Sequence, residues 1–274
     1  MKVPESIRTF FDENVGDYEA KHYGAQVRSF MMVRQTRILE VVDSLGLPRG
    51  AKALDAGCGP GYLLEALARR GFQVYGLDAA EGMVRSTRAR LTAANPEYSC
   101  TLEVGNIEKL PFGNKTFDLV CSAGVIEYLR EDRTVLGELF RVLRPSGALI
   151  LPVTNFWSPV NYLDFFVEFL KRQRWFLRPF NAVWRRLGHR PVLSRHFRVR
   201  RHRPANLMRS LAEAGFVLRD QVYFYFLPWP RPLDRLFPKA TAAVERSLEP
   251  YGRSWIGTFA EGYLTLSIKP ANGP

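Results

Sequence analysis

Apolar positions recur with two periods along the chain. Residues 6–45 follow a helical period, with weak points at Gly16 and Gly24. Short apolar runs then alternate with amphipathic stretches of ten or so residues. The runs at 51–56, 73–77, 99–104, 117–121 and 148–153 read as strands, and 62–70, 81–93 and 131–143 read as helices. Gly71 suits the C-cap of the first of these helices, Asn95-Pro96 stops the second, and Arg144-Pro145-Ser146-Gly147 is a turn. This alternation predicts a parallel sheet with helices on both faces. The rhythm breaks after residue 154. Ser158 and Pro159 can open a helix reaching about Leu177, and a shorter one is predicted over 181–187. Helices at 204–214 and 240–248 and strands at 217–226 and 262–269 complete the pattern.

Composition narrows the class. Hydrophobic residues make up 46% of the 274 positions and charged residues 24%, enough to fold around a core. No run of about 18 uncharged apolar residues is present, so no membrane-spanning helix is expected, and the N-terminus lacks the apolar region of a signal peptide. Cys58, Cys100 and Cys121 have no metal-ligand spacing. They read as reduced thiols of a cytoplasmic protein, and no metal is expected. The net charge of +12 is concentrated: residues 155–204 hold twelve Lys/Arg against Asp164 and Glu168, a net +10, and eleven of the 35 aromatics. Such a block predicts a surface for anions, whether anionic lipid or nucleic acid.

The candidate chemistry lies at residues 53–67, ALDAGCGPGYLLEAL. Gly57, Gly59 and Gly61 alternate after Asp55. Glycines there let a ligand approach the backbone and aim the next helix N-terminus at it. The spacing differs from the G-x-G-x-x-G of dinucleotide sites. An acid before alternating glycines suits a ligand that has no pyrophosphate but carries an ammonium.

This D-x-G-x-G-x-G turn resembles motif I of class I S-adenosylmethionine (SAM)-dependent methyltransferases. Asp78 ends the second strand where that family holds the ribose hydroxyls, and Gly105-Asn106-Ile107 follows the third strand where it reads adenine. The runs LPFGNKTFDLVCSAGVIEYL (110–129) and LRPSGALIL (143–151) resemble the type-11 branch, which includes ubiquinone and menaquinone methyltransferases. The resemblance implies an α/β fold: a Rossmann-like, seven-stranded, mostly parallel sheet with helices on both faces. Residues 1–45 would form a helical lid, 46–274 the methyltransferase domain, and 155–204 a helical cap inserted after the fifth strand. It also implies SAM as cofactor, held by Asp55, Gly57, Cys58, Gly59, Gly61, Asp78, Ala79, Met83, Asn106, Ile107 and Ser122. Two positions stay open. Asn106 stands where the family has Asp, keeping an acceptor oxygen but losing the charge. Met83 suits either an adenine wall or a core position.

Methyl transfer needs an in-line approach, and a base only if the acceptor loses a proton. Glu127 and Tyr128, after the fourth strand, are candidates, with a helix cap and a packing ring as their alternative reading. His22 on the lid is a third catalytic candidate, and Tyr18 and Tyr23 on the lid and Trp157 and Tyr162 in the cap are candidate acceptor contacts. His189, His196 and His202 belong to the basic run and are expected to serve its surface. The fourth strand lacks the Asn/Asp-Pro-Pro-aromatic signature of base methylases, so nucleic acid is disfavoured as a partner, although arginines beside aromatics can stack RNA bases. Trp and Phe interleaved with Arg and Lys suit a helix lying in a bilayer interface. The expected acceptor is an amphiphilic or lipid-like small molecule, such as a prenylated quinone precursor, handled at an anionic inner membrane surface. A soluble aromatic acceptor, or SAM binding without catalysis, are the alternatives. The oligomeric state is not legible.

Overall fold

A computed structural model describes residues 5–24, 29–160, 199–229 and 236–271, with positions 162, 163, 169, 179, 182 and 186. The predicted helices at 158–177 and 181–187, and His189 and His196, fall wholly or mostly outside these.

Three N-terminal helices come first: α1 (Glu5–Glu13), α2 (Val15–Tyr23) and α3 (Phe30–Ser44). The break between α1 and α2 falls at Asn14 and not at Gly16, which α2 absorbs; Gly24 is the C-cap of α2, as its weak point suggested. Ser29 starts α3 by accepting a hydrogen bond from the Met32 N–H at 3.2 Å.

The β/α alternation then runs β1 (Lys52–Ala56), α4 (Tyr62–Arg69), β2 (Gln73–Asp78), α5 (Glu81–Ala94), β3 (Cys100–Val104), β4 (Phe117–Cys121), α6 (Arg133–Val142) and β5 (Leu143–Thr154). The predicted turn at 144–147 lies within β5. Ser146 adopts φ 62° there and donates its N–H to the Lys269 carbonyl, so the pairing continues through the bend. After the insertion come α7 (Pro204–Glu213), β6 (Val217–Phe224), α8 (Pro238–Leu248), two 3-10 segments (Glu249–Arg253 and Trp255–Phe259) and β7 (Gly262–Ile268).

The seven strands stand in the order β3-β2-β1-β4-β5-β7-β6. The first five are parallel; β7 pairs antiparallel with both β5 and β6. This is the seven-stranded, mostly parallel α/β sheet that the family resemblance implied, with the parallel half expected from the alternation. Period-two patterning sends alternate residues to opposite faces. Ala53, Leu119, Cys121 and Ile150 pack on one face with Leu64 and Leu67 of α4 and Val33 and Ile38 of α3. Leu54, Val120, Leu149 and Leu151 pack on the other with Leu136 and Leu139 of α6 and Leu207 of α7. Gly76 in β2 exists for this packing: a Cβ there would meet Leu64 Cδ1 at 2.5 Å and Leu102 Cδ2 at 2.8 Å. Among the described residues, no helix is long and apolar enough to cross a membrane.

Candidate active site

Strand order reverses between β1 and β4, and ligands of open α/β sheets settle outside the carboxyl ends of the strands at such a point. The Asp55 glycine turn lies there. Gly57, Gly59 and Gly61 have φ of 96°, 52° and 82°, a region side chains avoid. Their reasons differ. A Cβ on Gly57 would fall 2.0 Å from Val125 Cγ2, and one on Gly61 2.7 Å from Thr87 Cγ2, so these two are demanded by packing. A Cβ on Gly59 would meet nothing within 4 Å, and Gly59 lines the cavity beside the turn. It is the position where a side chain would fill ligand space.

Asp55 is 2% exposed, and its Oδ1 has no hydrogen-bond partner. Burial pushes its pKa up to about 8; nearby Arg34 opposes the rise and Asp78 adds to it. Asp78 is held against the turn, its Oδ2 accepting from the Gly59 N–H at 2.9 Å and its Oδ1 from the Ala80 N–H at 2.9 Å. Burial raises its pKa too, while these N–H donors pull it back. A buried carboxyl with one oxygen lacking a hydrogen bond, an open Gly59 and a second carboxyl at the end of β2 form an acceptor set suited to the ammonium and hydroxyls of SAM.

Of the other expected cofactor residues, Cys58 lines the same cavity, whereas Ala79, Met83, Asn106, Ile107 and Ser122 are not among its lining. Cys58 is buried with its Sγ 3.8 Å from Thr87 Oγ1, and burial raises its thiol pKa. Ala79 follows Asp78. Met83 and Ile107 are 2% and 3% exposed. Asn106 Oδ1 accepts from the Glu108 N–H at 3.0 Å, an Asx turn that presets the loop after β3. The Ser122 hydroxyl is fully buried and donates to the Ala56 carbonyl at 2.9 Å, tying β4 to β1.

The N-terminal helices close over the turn. Tyr18, Tyr23 and Arg34 line the same cavity as Asp55, Gly57 and Gly59. Tyr23 stacks on Tyr62 with centroids 3.7 Å apart, and the Arg90 guanidinium covers the Tyr62 ring at 3.4 Å. Burial raises the Tyr23 pKa. Asp12 accepts from the Gly82 N–H at 2.7 Å and Glu19 pairs with Arg90 at 2.9 Å, fastening α1 and α2 to α5.

Arg34 is the residue that sequence reasoning missed. It is 8% exposed, beside Gly124, where a Cβ would lie 2.4 Å from Arg34 Nη1 and 3.5 Å from Glu127 Oε2. Its signal was available: an arginine on the apolar stripe of α3, between Val33 and Ile38. Glu127, 4% exposed in a 3-10 turn (Ile126–Tyr128), accepts at Oε1 from the Thr154 N–H at 2.6 Å and hydroxyl at 2.7 Å. Tyr128 meets Phe11 edge to face, Phe11 meets Tyr18, and Tyr18 meets His22 at 4.6 Å. Trp157 and Tyr162 stand apart, 51% and 50% exposed beyond β5.

Comparison with known proteins agrees with this geometry. A family model described as a methyltransferase domain matches residues 54–151. The chain is 31% identical over 231 residues to demethylmenaquinone methyltransferase of Symbiobacterium thermophilum, covering 78% of this chain and 86% of that one. It is 31% identical over 157 residues to 24-methylenesterol C-methyltransferase 3 of Arabidopsis thaliana, spanning 54% of this chain but only 44% of that one. Magnesium protoporphyrin IX methyltransferase from Synechocystis, solved with bound SAH, shares the fold, with a TM-score of 0.60 at 18% identity over 96% of this chain and 98% of its own. With a glycine turn and acids of the right chemistry and a relative matched along most of its length, the chain belongs to the type-11 branch of the class I S-adenosylmethionine-dependent methyltransferases, and its cofactor is SAM.

Proposed function

We propose that this enzyme methylates an amphiphilic, lipid-like small molecule taken from an anionic membrane surface. One observation carries the reading. Large aromatics stand exposed on segments that leave or enter the carboxyl edge of the sheet: Trp157 after β5, Trp229 after β6, and Trp255 and Phe259 before β7, the last two 74% and 50% exposed. Because β7 runs antiparallel between β5 and β6, all three segments open at the edge that carries the glycine turn. The basic segment 155–204, net +10, leaves from the same edge. Aromatic rings beside arginines suit the interfacial layer of a bilayer, and each basic residue near an anionic surface adds about 1 kcal/mol. Demethylmenaquinone and sterol methyltransferases among the relatives carry apolar acceptors in their names, which supports the same class.

In this reading Asp55, the three glycines and Asp78 hold SAM, with Cys58, Ala79, Met83, Asn106, Ile107 and Ser122 shaping the pocket. SAM supplies an electrophilic methyl carbon on its sulfonium. Residues 1–45 act as a lid, through which Tyr18, His22, Tyr23 and Arg34 exclude water, and 155–204 act as a cap carrying Trp157 and Tyr162. Glu127, oriented by Thr154, is a fixed carboxylate able to take a proton from an acidic acceptor, with Tyr128 next to it in the same 3-10 turn. The test is incubation with methyl-tritiated SAM and a membrane-containing extract of the source cells. Label in the organic phase is expected; label confined to small polar products or RNA overturns the reading.

A further inference from the structure

A second cavity, of about 340 Å3, opens beside the acceptor side of the sheet. Arg200, Arg201 and Arg203 line it, together with Phe156 and Asn206. Its one acidic lining residue, Asp132, is already engaged: it pairs with Arg200 and lies 3.3 Å from His202 Nε2. Burial alone would raise the Asp132 pKa, but His202 and Arg200 hold it below the usual carboxylate range. Asp132 is thus matched by Arg200 and His202, and the wall keeps a further positive charge at Arg203. Its guanidinium lies over the rings of Phe156 at 4.5 Å and Trp157 at 5.5 Å, and it has no carboxylate partner among the described residues. Ring stacking holds the planar fork and leaves its in-plane N–H groups for an oxygen ligand.

Two further features add to this. Arg203 is the N-cap of α7, a ten-residue helix with Pro204 in its first turn and no side-chain cap, so the partial positive charge of that helix end adds to the arginines. The wall of the cavity is also joined to the reaction side. The Arg200 N–H donates to the Glu127 carbonyl at 2.8 Å, and His202 bridges to Asn155 at the end of β5. A group bound here sits next to the turn that carries Glu127.

We infer that this cavity is a binding site for a phosphate-class oxyanion, phosphate or diphosphate, held by the arginines of its wall. The ion could reach it on a soluble phosphorylated molecule or as a lipid headgroup; both present the same chemistry. Identifying the ion's carrier with the methyl acceptor rests on the function proposed above, but the anion site itself does not.

The experiment is equilibrium binding of the full chain to two probes: inorganic pyrophosphate, by calorimetry, and vesicles of phosphatidylcholine with or without phosphatidic acid, by flotation. Wild type is compared with Arg203→Gln, and with Arg201→Gln as a second variant, each checked for folding by its melting temperature and its affinity for SAH. Losing one charge-assisted contact should weaken binding about tenfold or more. Weakened binding of both probes supports a site open to either source. Loss of vesicle binding alone assigns it to a headgroup, and loss of pyrophosphate alone to a soluble ligand. Binding unchanged by the substitutions in folded protein, or no binding of either probe by wild type, overturns the inference. These results are independent of the organic-phase label, so failure of the site and failure of the acceptor class are told apart.

Discussion

Replacing Asp55 by Asn tests the cofactor site most directly. The wild-type carboxyl is 2% exposed and pushed up to about 8, so at pH 7 the SAM-free protein holds it mostly protonated. Binding an ammonium requires the carboxylate. Deprotonating a group of pKa 8 at pH 7 reduces affinity about tenfold relative to pH 9, and loss of the ligand's own ammonium towards pH 9 opposes this gain, so wild-type binding should be tightest between the two pKa values. Asn cannot ionise, and the variant should lose both the carboxyl's pH dependence and the charge-assisted contact. A contact of about 1.5–3 kcal/mol corresponds to a roughly 10- to 150-fold weaker Kd. Stability moves the other way. An acid with a folded pKa of about 8 and an unfolded one near 3.9 ionises first in the unfolded chain, so its stabilising contribution is present below about pH 4 and is lost as pH rises towards 8. Asn removes that loss. The SAM-free variant should be more stable than wild type at pH 7 by on the order of 2 kcal/mol, after the unpaired amide N–H groups offset part of the gain. Calorimetry with SAH at pH 7, 8 and 9, beside thermal melting without ligand, reads both effects. An Asp55→Asn protein that binds SAH within twofold of wild type at pH 7, 8 and 9 refutes the placement of the ammonium.

The glycines of the turn separate folding from binding. Gly57→Ala puts a Cβ 2.0 Å from Val125 Cγ2 at φ 96° and should cost about 2–4 kcal/mol in urea unfolding; a cost under 1 kcal/mol would contradict the packing. Gly59→Ala meets open space at φ 52°, so it should cost only about 1 kcal/mol yet weaken SAH binding strongly. Unchanged SAH affinity in that variant would move the ligand away from the turn. Lys269 Nζ donates to the Phe140 and Leu143 carbonyls at 2.6 and 2.7 Å, binding the end of α6 to the end of β7. Lys269→Met removes both charge-assisted hydrogen bonds and should lower stability by about 2–3 kcal/mol, with a parallel fall in the melting temperature.

The sequence by itself determined the order of strands and helices, the parallel first half of the sheet, and the glycine turn with Asp55 and Asp78. These are short-range properties. A period of two or 3.6 residues decides which face is buried within one element, and a turn needs glycine because of its own φ angles. Its errors were of the same local kind: it placed the first helix break at Gly16, where helical hydrogen bonding carries through, and began β5 only after a turn that pairing bridges. The tertiary structure alone decided what distant segments do to one another. It placed Arg34 of α3 beside Asp55 and Gly124, engaged Glu127 with Thr154 across 27 residues, and set β7 antiparallel between β5 and β6. That last choice gathers Trp157, Trp229 and Trp255 on one edge. No local period encodes such contacts, because they depend on how whole faces pack, and the same packing sets the burial that shifts the Asp55 carboxyl.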